Sequence, residues 1–324
     1  MINLFELETY KIDTANFSNL LHDKVVTEFE ENFAEYVGAK YACSANSASS
    51  LIYLSNIKCP GIFEIPSIIP TVVPNAIIRS TEPRAHREAP YFRVRDDIDW
   101  VGGSYTICNS KSLGIKIIDS AQKVERDQFK TEANPKDWML FSFYPTKPVG
   151  GCDGGMIVSD DKDAIDWFRL ATLNGTSSSK NNWERSIHFS GWKMHINSIQ
   201  AYIANENLKK LDRKYEKLKK IRDIYNKSLS CKNDSNHLYR VKVENNQTFI
   251  RAMQKLGITC GIHYNAIHLN KLYSKHLFNN QEKLPLSTKE QKTTASIPFH
   301  ENLGDDNLQY IIELKIIREF ITLR

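Results

Sequence analysis

The sequence predicts an α/β protein with a mostly parallel, buried sheet, followed by a smaller α+β domain at the C-terminus. Two observations carry this. Through residue 158, short apolar runs suited to buried strands alternate with segments of helical periodicity. From Ser198 the pattern becomes one long amphipathic helix, in which Ile199, Ile203, Leu208, Leu211, Tyr215, Leu218, Ile221 and Tyr225 recur on one face. Such a helix leads out of a first domain, residues 1–205, and braces a second, residues 206–324.

Each element has its own signal. Val26, Phe29, Phe33 and Val37 share a helical face over 23–37, and Gly38 supplies the stop. Tyr41–Ala45 is small and strand-compatible. It leads into the polar turn Asn46-Ser-Ala-Ser-Ser50 and then the apolar run Leu51–Leu54, so the segment reads as strand, turn, helix. Phe63–Ile65 and Ala76–Ile78 flank a proline-rich stretch at 66–74. Ile115–Ile118 is a short strand ending in Asp119; Trp138–Phe143 and Met156–Val158 are two more. The cluster at 176–182 reads as a surface loop, and an amphipathic helix from Asp305 closes the chain. No internal repeat is visible.

Bulk properties narrow the function. With 41% hydrophobic and 25% charged residues, the 324-residue chain has the composition of a globular protein large enough for two domains. No run approaches the ~20 apolar residues of a membrane span, and no secretory signal is expected at the N-terminus. Six scattered cysteines (Cys43, Cys59, Cys108, Cys152, Cys231, Cys260) lack metal spacing and read as reduced thiols of a cytoplasmic protein. The net charge of +5 is concentrated in 208–221. There acids and apolar residues interleave with the lysines, which makes a solvated helix face and argues against nucleic acid.

The chemistry centres on Lys147, in Ser142-Phe-Tyr-Pro-Thr-Lys-Pro-Val-Gly-Gly-Cys-Asp-Gly-Gly155. A lysine held in a tight turn after an apolar strand is shielded and able to lose its proton, as an amine nucleophile must. If its target is the aldehyde of pyridoxal phosphate, three further demands follow: a carboxylate for the ring nitrogen, a phosphate cradle and a shaped substrate site. Asp119, at the carboxyl end of a strand, meets the first. Gln122 lies three residues on, within reach of the ring's O3′. Ala48, Ser49 and Ser50 offer backbone N–H groups and hydroxyls at a helix N-terminus, and Ser142 a further hydroxyl. Singly, each feature has an ordinary reading as a cap or a surface turn; their joint order is the signal.

In that order the segments resemble the DegT-type family of pyridoxal-phosphate-dependent sugar aminotransferases, of the aspartate-aminotransferase superfamily (fold type I). Phe29–Tyr41 resembles the family's opening helix and turn, and Asn46–Ile52 its phosphate turn. Ile118-Asp-Ser-Ala-Gln122 resembles Glu-Asp-Ala-Ala-Gln, and Ser142–Gly155 resembles the lysine motif with its Gly-Gly. Gly191–Ala201, Gly257–Tyr264 and Ser296–His300 resemble later landmarks. The resemblance implies a three-layer large domain, a homodimer with shared active sites, L-glutamate as amino donor and a nucleotide-linked keto-sugar as acceptor. It places Lys193 where many members have an asparagine that reaches the neighbouring subunit's phosphate.

Three further departures accompany Lys193. Ala48 replaces a glycine of the phosphate turn. Pro66–Pro74 lacks the aromatic residue that often covers the cofactor ring. The stretch 80–115 is shorter than its counterpart, so a strand, helix or loop of the large domain is missing or trimmed. These keep open the alternative of a non-catalytic or differently specific member. Outside the motif, His263, Tyr264 and His300 could touch substrate or the partner's site, but packing or surface roles are the favoured reading. Arg84, His86, Arg87, Arg93 and Arg95 read as a solvated loop as readily as a site for a nucleotide diphosphate.

Overall fold

The structure, a computed structural model, describes residues 1–7, 9–13, 15, 17–20, 24–82, 91–178, 184–278, 283–314, 317 and 320–321. Helix α1 (Lys24–Val37) buries Phe29, Phe33 and Val37, and ends at Gly38 in the left-handed region. Strand β1 (Tyr41–Ala45) then runs into α2 (Ala48–Lys58), whose cap is Ser47: its Oγ accepts from Ser50 N. Next come β2 (Phe63–Pro66), α3 (Val72–Thr81), β3 (Phe92–Arg95), β4 (Tyr105–Ser110) and β5 (Ile115–Asp119). Ala76–Ile78 thus lies inside a helix, whose first turn accepts Pro74 because the N–H there has no intrahelical partner. The large unit is completed by α4 (Gln128–Glu132), β6 (Trp138–Ser142), β7 (Gly155–Ser159), α5 (Lys162–Thr172) and the hairpin of β8 (Thr176–Ser178) with β9 (Arg185–Ile187). Residues 176–178 are therefore strand; 179–183 lie outside the described residues, as do Arg84, His86 and Arg87.

The central sheet has the order β1-β7-β6-β5-β4. The class is the expected α/β, but the pairing sense is mixed. The parallel pairs, β5/β6 and β2/β3, are each joined through a helix. The antiparallel pairs β4/β5 and β6/β7 are joined by short connections, 111–114 and the lysine segment 143–154. Between β3 and β5 the described residues hold no helix, which is how the shortened 80–115 stretch is accommodated. Strands β2 and β3 stay beside β4 through Arg95, whose Nη1 donates to Glu64 O (2.6 Å) and Thr106 O (3.1 Å). Arg95 is thus a structural tether.

Alternation along the strands builds three layers. Cys43, Ala45, Ile117, Leu140 and Ile157 face one core with α2, α3 and α5. Their neighbours Ala42, Ile118, Met139, Phe141, Met156 and Val158 face a second core with α1 and the start of α6 (Ser198–Ser228). Helix α6 begins in a capping box between Asn197 and Gln200. Its later turns, at Leu218, Ile221 and Tyr225, enter a third core with β10 (Tyr239–Lys242) and α7 (Asn246–Lys255). The short α8 (Lys271–Ser274) packs Tyr273 into the first core. Then follow α9 (Pro285–Thr293), β11 (Thr294–Ile297), paired antiparallel to β10, and α10 (Asp305–Glu313).

Candidate active site

Strand register brings the motif residues to one edge of the sheet. Gly155, the first residue of β7, is opposite Ala45 on one side and Ser142 on the other. Asp119 pairs with Leu140 on the neighbouring strand. Gly155 is also where the N-terminus of α2 crosses the sheet: a Cβ there would lie 2.5 Å from Ala48 N and 2.7 Å from Ala48 Cα. The glycine is required by that close backbone approach.

The lysine segment is pinned along its length. Phe143 N donates to Gly154 O, Gly151 N to Phe143 O and Lys147 N to Tyr144 O, at 2.8–2.9 Å. From α6, Gln200 Nε2 donates to Cys152 O (3.0 Å) and Asn207 Nδ2 to Gly150 O. Lys147 is thereby projected into a cavity of about 520 Å³. Its side chain is half-buried, and its amine is desolvated by the walls, which lowers its pKa to about 8 against the partial opposition of Asp119. Among the described residues the amine has no hydrogen bond or ion pair.

Asp119 is buried in the same cavity. Tyr105 Oη donates to its Oδ2 (2.6 Å) and Ala121 N to its Oδ1 (2.9 Å). Desolvation nevertheless raises its pKa, outweighing those hydrogen bonds and the charge of Lys147. The site thus contains an amine and a carboxylate that are each short of solvation for their charged forms.

Ser47, Ala48 and Ser49 line the cavity at the start of α2. The N–H groups of Ala48 and Ser49 have no protein acceptor among the described residues, as expected of a first helical turn. Ser50 is turned away: its N–H donates to Ser47 Oγ and its hydroxyl to Asn46 Oδ1 (2.7 Å), so the cap absorbs both groups. Ser142 lines the cavity beside them. Gln122 lines it too, with Oε1 accepting from Gly102 N (2.8 Å) and Nε2 donating to Tyr264 Oη (3.0 Å). Lys193 is exposed on the surface and does not line the cavity.

Other walls come from residues outside the motif. Pro70, Val72 and Val73, from the segment that lacks the aromatic residue, supply an aliphatic surface. Trp100 and Tyr264 stack at 6.3 Å with an 8° interplanar angle. His263 and Tyr264, for which the sequence favours packing or surface roles over substrate contact, both line the cavity. His263 Nδ1 lies 2.9 Å from Ser296 Oγ, and burial with the nearby Lys147 charge takes its pKa down to about 4. His237 is another wall residue; only tertiary folding places it there, against Phe5.

A family model for the DegT/DnrJ/EryC1/StrS aminotransferase family matches residues 107–315, more than half the chain and inclusive of Asp119, Gln122, Ser142 and Lys147. The chain belongs to this family. It is an aminotransferase. Among curated relatives it is 25% identical to the UDP-4-amino-4,6-dideoxy-N-acetyl-beta-L-altrosamine transaminase of Campylobacter jejuni, covering 89% of this chain and 88% of the relative. It is 23% identical to the spore coat polysaccharide biosynthesis protein SpsC of Bacillus subtilis over the same shares. In fold it is similar to the aminotransferase TlmJ from Streptoalloteichus hindustanus (TM-score 0.78, 19% identity, 98% of each chain). It is also similar to the Helicobacter pylori aminotransferase PseC (TM-score 0.73, 20% identity, 95% of each chain). No described helix is long and apolar enough to cross a membrane.

Proposed function

We propose that this aminotransferase uses pyridoxal 5′-phosphate to move an amino group from L-glutamate to a keto-sugar carried on a nucleotide, in amino-sugar or surface-polysaccharide biosynthesis. The observation that carries the reading is the meeting in one cavity of a desolvated lysine amine, a buried strand-end carboxylate and the open N-terminus of α2. The residues present fit the cofactor. Two unpaired N–H groups and the Ser49 and Ser142 hydroxyls suit its phosphate. Asp119, short of solvation when ionised, suits a cationic ring nitrogen. The sugar acceptor is supported by the names of the relatives, which are a UDP-amino-sugar transaminase and a polysaccharide biosynthesis protein.

When bound, the cofactor supplies an aldehyde that captures amines and a ring that draws electrons from the adjoining carbon. Lys147 is neutral in a useful fraction at neutral pH, so its Nζ acts as nucleophile and then holds a proton beside the reacting carbon. Tyr105 and Ala121 N fix the Asp119 carboxylate in place. Gln122, held by Gly102, keeps a second Nε2 proton for a ligand oxygen. Pro70 and Val73 exclude water from one wall, and Trp100 with Tyr264 from another.

We assign Lys193 to the phosphate of a second copy's site, in a homodimer, because it is exposed and does not line its own cavity. We divide the chain into domains 1–205 and 206–324, supported by a third core drawn from residue 218 onward. A cytoplasmic location is supported by six free cysteines. Incubation of purified protein with glutamate should convert the bound cofactor to its amine form, and nucleotide keto-sugars should reverse it. Colour without conversion would contradict the glutamate assignment.

A further inference from the structure

Behind Lys147 three cavities share walls. The smallest, about 30 Å³, is bounded by Lys147, His237, His300, Lys214 and Glu301. It shares Lys147 and His237 with the main cavity, and Lys214 and Glu301 with an outer groove of about 320 Å³. His237 and His300 are each 6% exposed. Neither nitrogen of His300 has a hydrogen bond among the described residues, and its Nδ1 stands 3.7 Å from Glu6 Oε2. The His237 ring has none either; its backbone N–H alone is held, by Ser235 Oγ.

A buried imidazole with no hydrogen bond at either nitrogen, as His300 is among the described residues, is unfavourable unless something solvates it. A polar space of this size accommodates one water, which needs roughly two to four polar partners. Resting on the reading of Lys147 above, we propose that the small cavity holds an ordered water joining Lys147 Nζ to His237 and His300, and that this path carries protons between the lysine and the outer groove while substrate covers the main cavity.

The transfer balances. A proton leaving Nζ breaks an N–H bond there and forms an O–H bond at the water. The water gives a different proton to an imidazole nitrogen. The lysine ends neutral, the imidazole cationic and the water unchanged, and the imidazole then releases its proton to the groove. A neutral imidazole has one donor and one acceptor nitrogen and suits this role. His300 is faced by Glu6 and the Asn3 backbone from the N-terminal segment, by adjacent Glu301 and by Lys214 of α6; burial dominates and lowers its pKa. His237 is faced by Lys147, His263 and Lys214, and burial lowers its pKa further.

Three measurements on wild type, His300→Phe and His300→Gln test this, with thermal unfolding to confirm that each variant folds. Crystal structures should show the water in wild type and His300→Gln but not in His300→Phe. The glutamate half-reaction should slow about tenfold in both variants, because glutamine solvates the water but cannot take its proton. In protein freed of cofactor, the pH midpoint for reductive methylation of Lys147 should fall by about one unit in His300→Phe, where the amine is drier, and stay put in His300→Gln. A dry cavity in wild type overturns the proposal, as does full rate in His300→Gln or an unmoved midpoint in His300→Phe. The water and the methylation midpoint are readable even if no cofactor is taken up, so failure of the cofactor reading is separately visible.

Discussion

Replacing Gly155 with alanine tests the link between strand register and the phosphate cradle. The added Cβ would meet Ala48 N at 2.5 Å, Ala48 Cα at 2.7 Å and Ser47 C at 2.7 Å. All three are backbone atoms, so no side chain can swing aside. Restoring an ordinary 3.4 Å contact requires α2 to move by about 0.9 Å at its first turn. Overpacking of this kind costs about 1–3 kcal/mol. A displacement near 1 Å at positioned donors costs up to about a hundredfold in function. Urea unfolding should therefore show a loss of about 1–3 kcal/mol. Titration with pyridoxal phosphate, followed by visible absorbance, should show affinity weakened about 10- to 100-fold. Gly61→Ala is the control: Gly61 is exposed and its Cβ would lie 3.8 Å from Cys108 Sγ, an ordinary contact, so stability should change by less than about 0.5 kcal/mol. Wild-type affinity in Gly155→Ala would refute the placement of the phosphate at α2.

Other outcomes follow from the same geometry. The folded pKa of Lys147 lies below its unfolded value, so between about pH 8 and 10.5 the unfolded chain binds more protons and stability rises with pH. Lys147→Met should abolish that rise and stabilise cofactor-free protein at pH 7 by on the order of 2–3 kcal/mol, measured by urea unfolding. Tyr105→Phe removes the 2.6 Å hydrogen bond to Asp119, so cofactor affinity should fall about tenfold, with retained fold by circular dichroism. With its pKa near 4, His263 should leave no inflection between pH 5 and 7 in the activity profile; an inflection there that disappears in His263→Asn would contradict its neutrality. Mixed dimers of Lys147→Ala with Lys193→Ala should recover activity that neither parent has, because one interface then holds an intact site; no recovery would remove Lys193 from the neighbour's site.

What the sequence disclosed depended on range. Asp119 and Ser142 were legible because each ends a strand, where an apolar run followed by a polar residue marks the sheet's edge, and Lys147 because it lies in the turn that follows Ser142. The turn at 46–50 was legible as a cap, but not how its hydroxyls divide: Ser47 faces the cavity while Ser50 is spent on Asn46. Pairing sense was hidden, since an apolar strand reads alike in either direction and only the connections 111–114 and 143–154 force antiparallel neighbours. His237, His263 and Trp100 come from segments with no periodicity of their own. They reach the cavity through long-range contacts, Trp100 by donating from Nε1 to Ile68 O (3.1 Å) and His237 by stacking on Phe5 at 5.8 Å. Basic residues at 208–221 read as a mixed solvated face; Asp212 turns to Arg126 and Tyr36, while Lys210, Arg213, Lys214 and Lys217 line one groove together with Glu6 and Glu301, the latter 3.1 Å from Lys214.

The central claim is that Lys147 carries the cofactor in this cavity. Purified protein treated with borohydride and digested should yield the Lys147 peptide heavier by a reduced phosphopyridoxyl group, with Lys147→Ala unlabelled. A label on another lysine, or none after incubation with pyridoxal phosphate, would contradict the account.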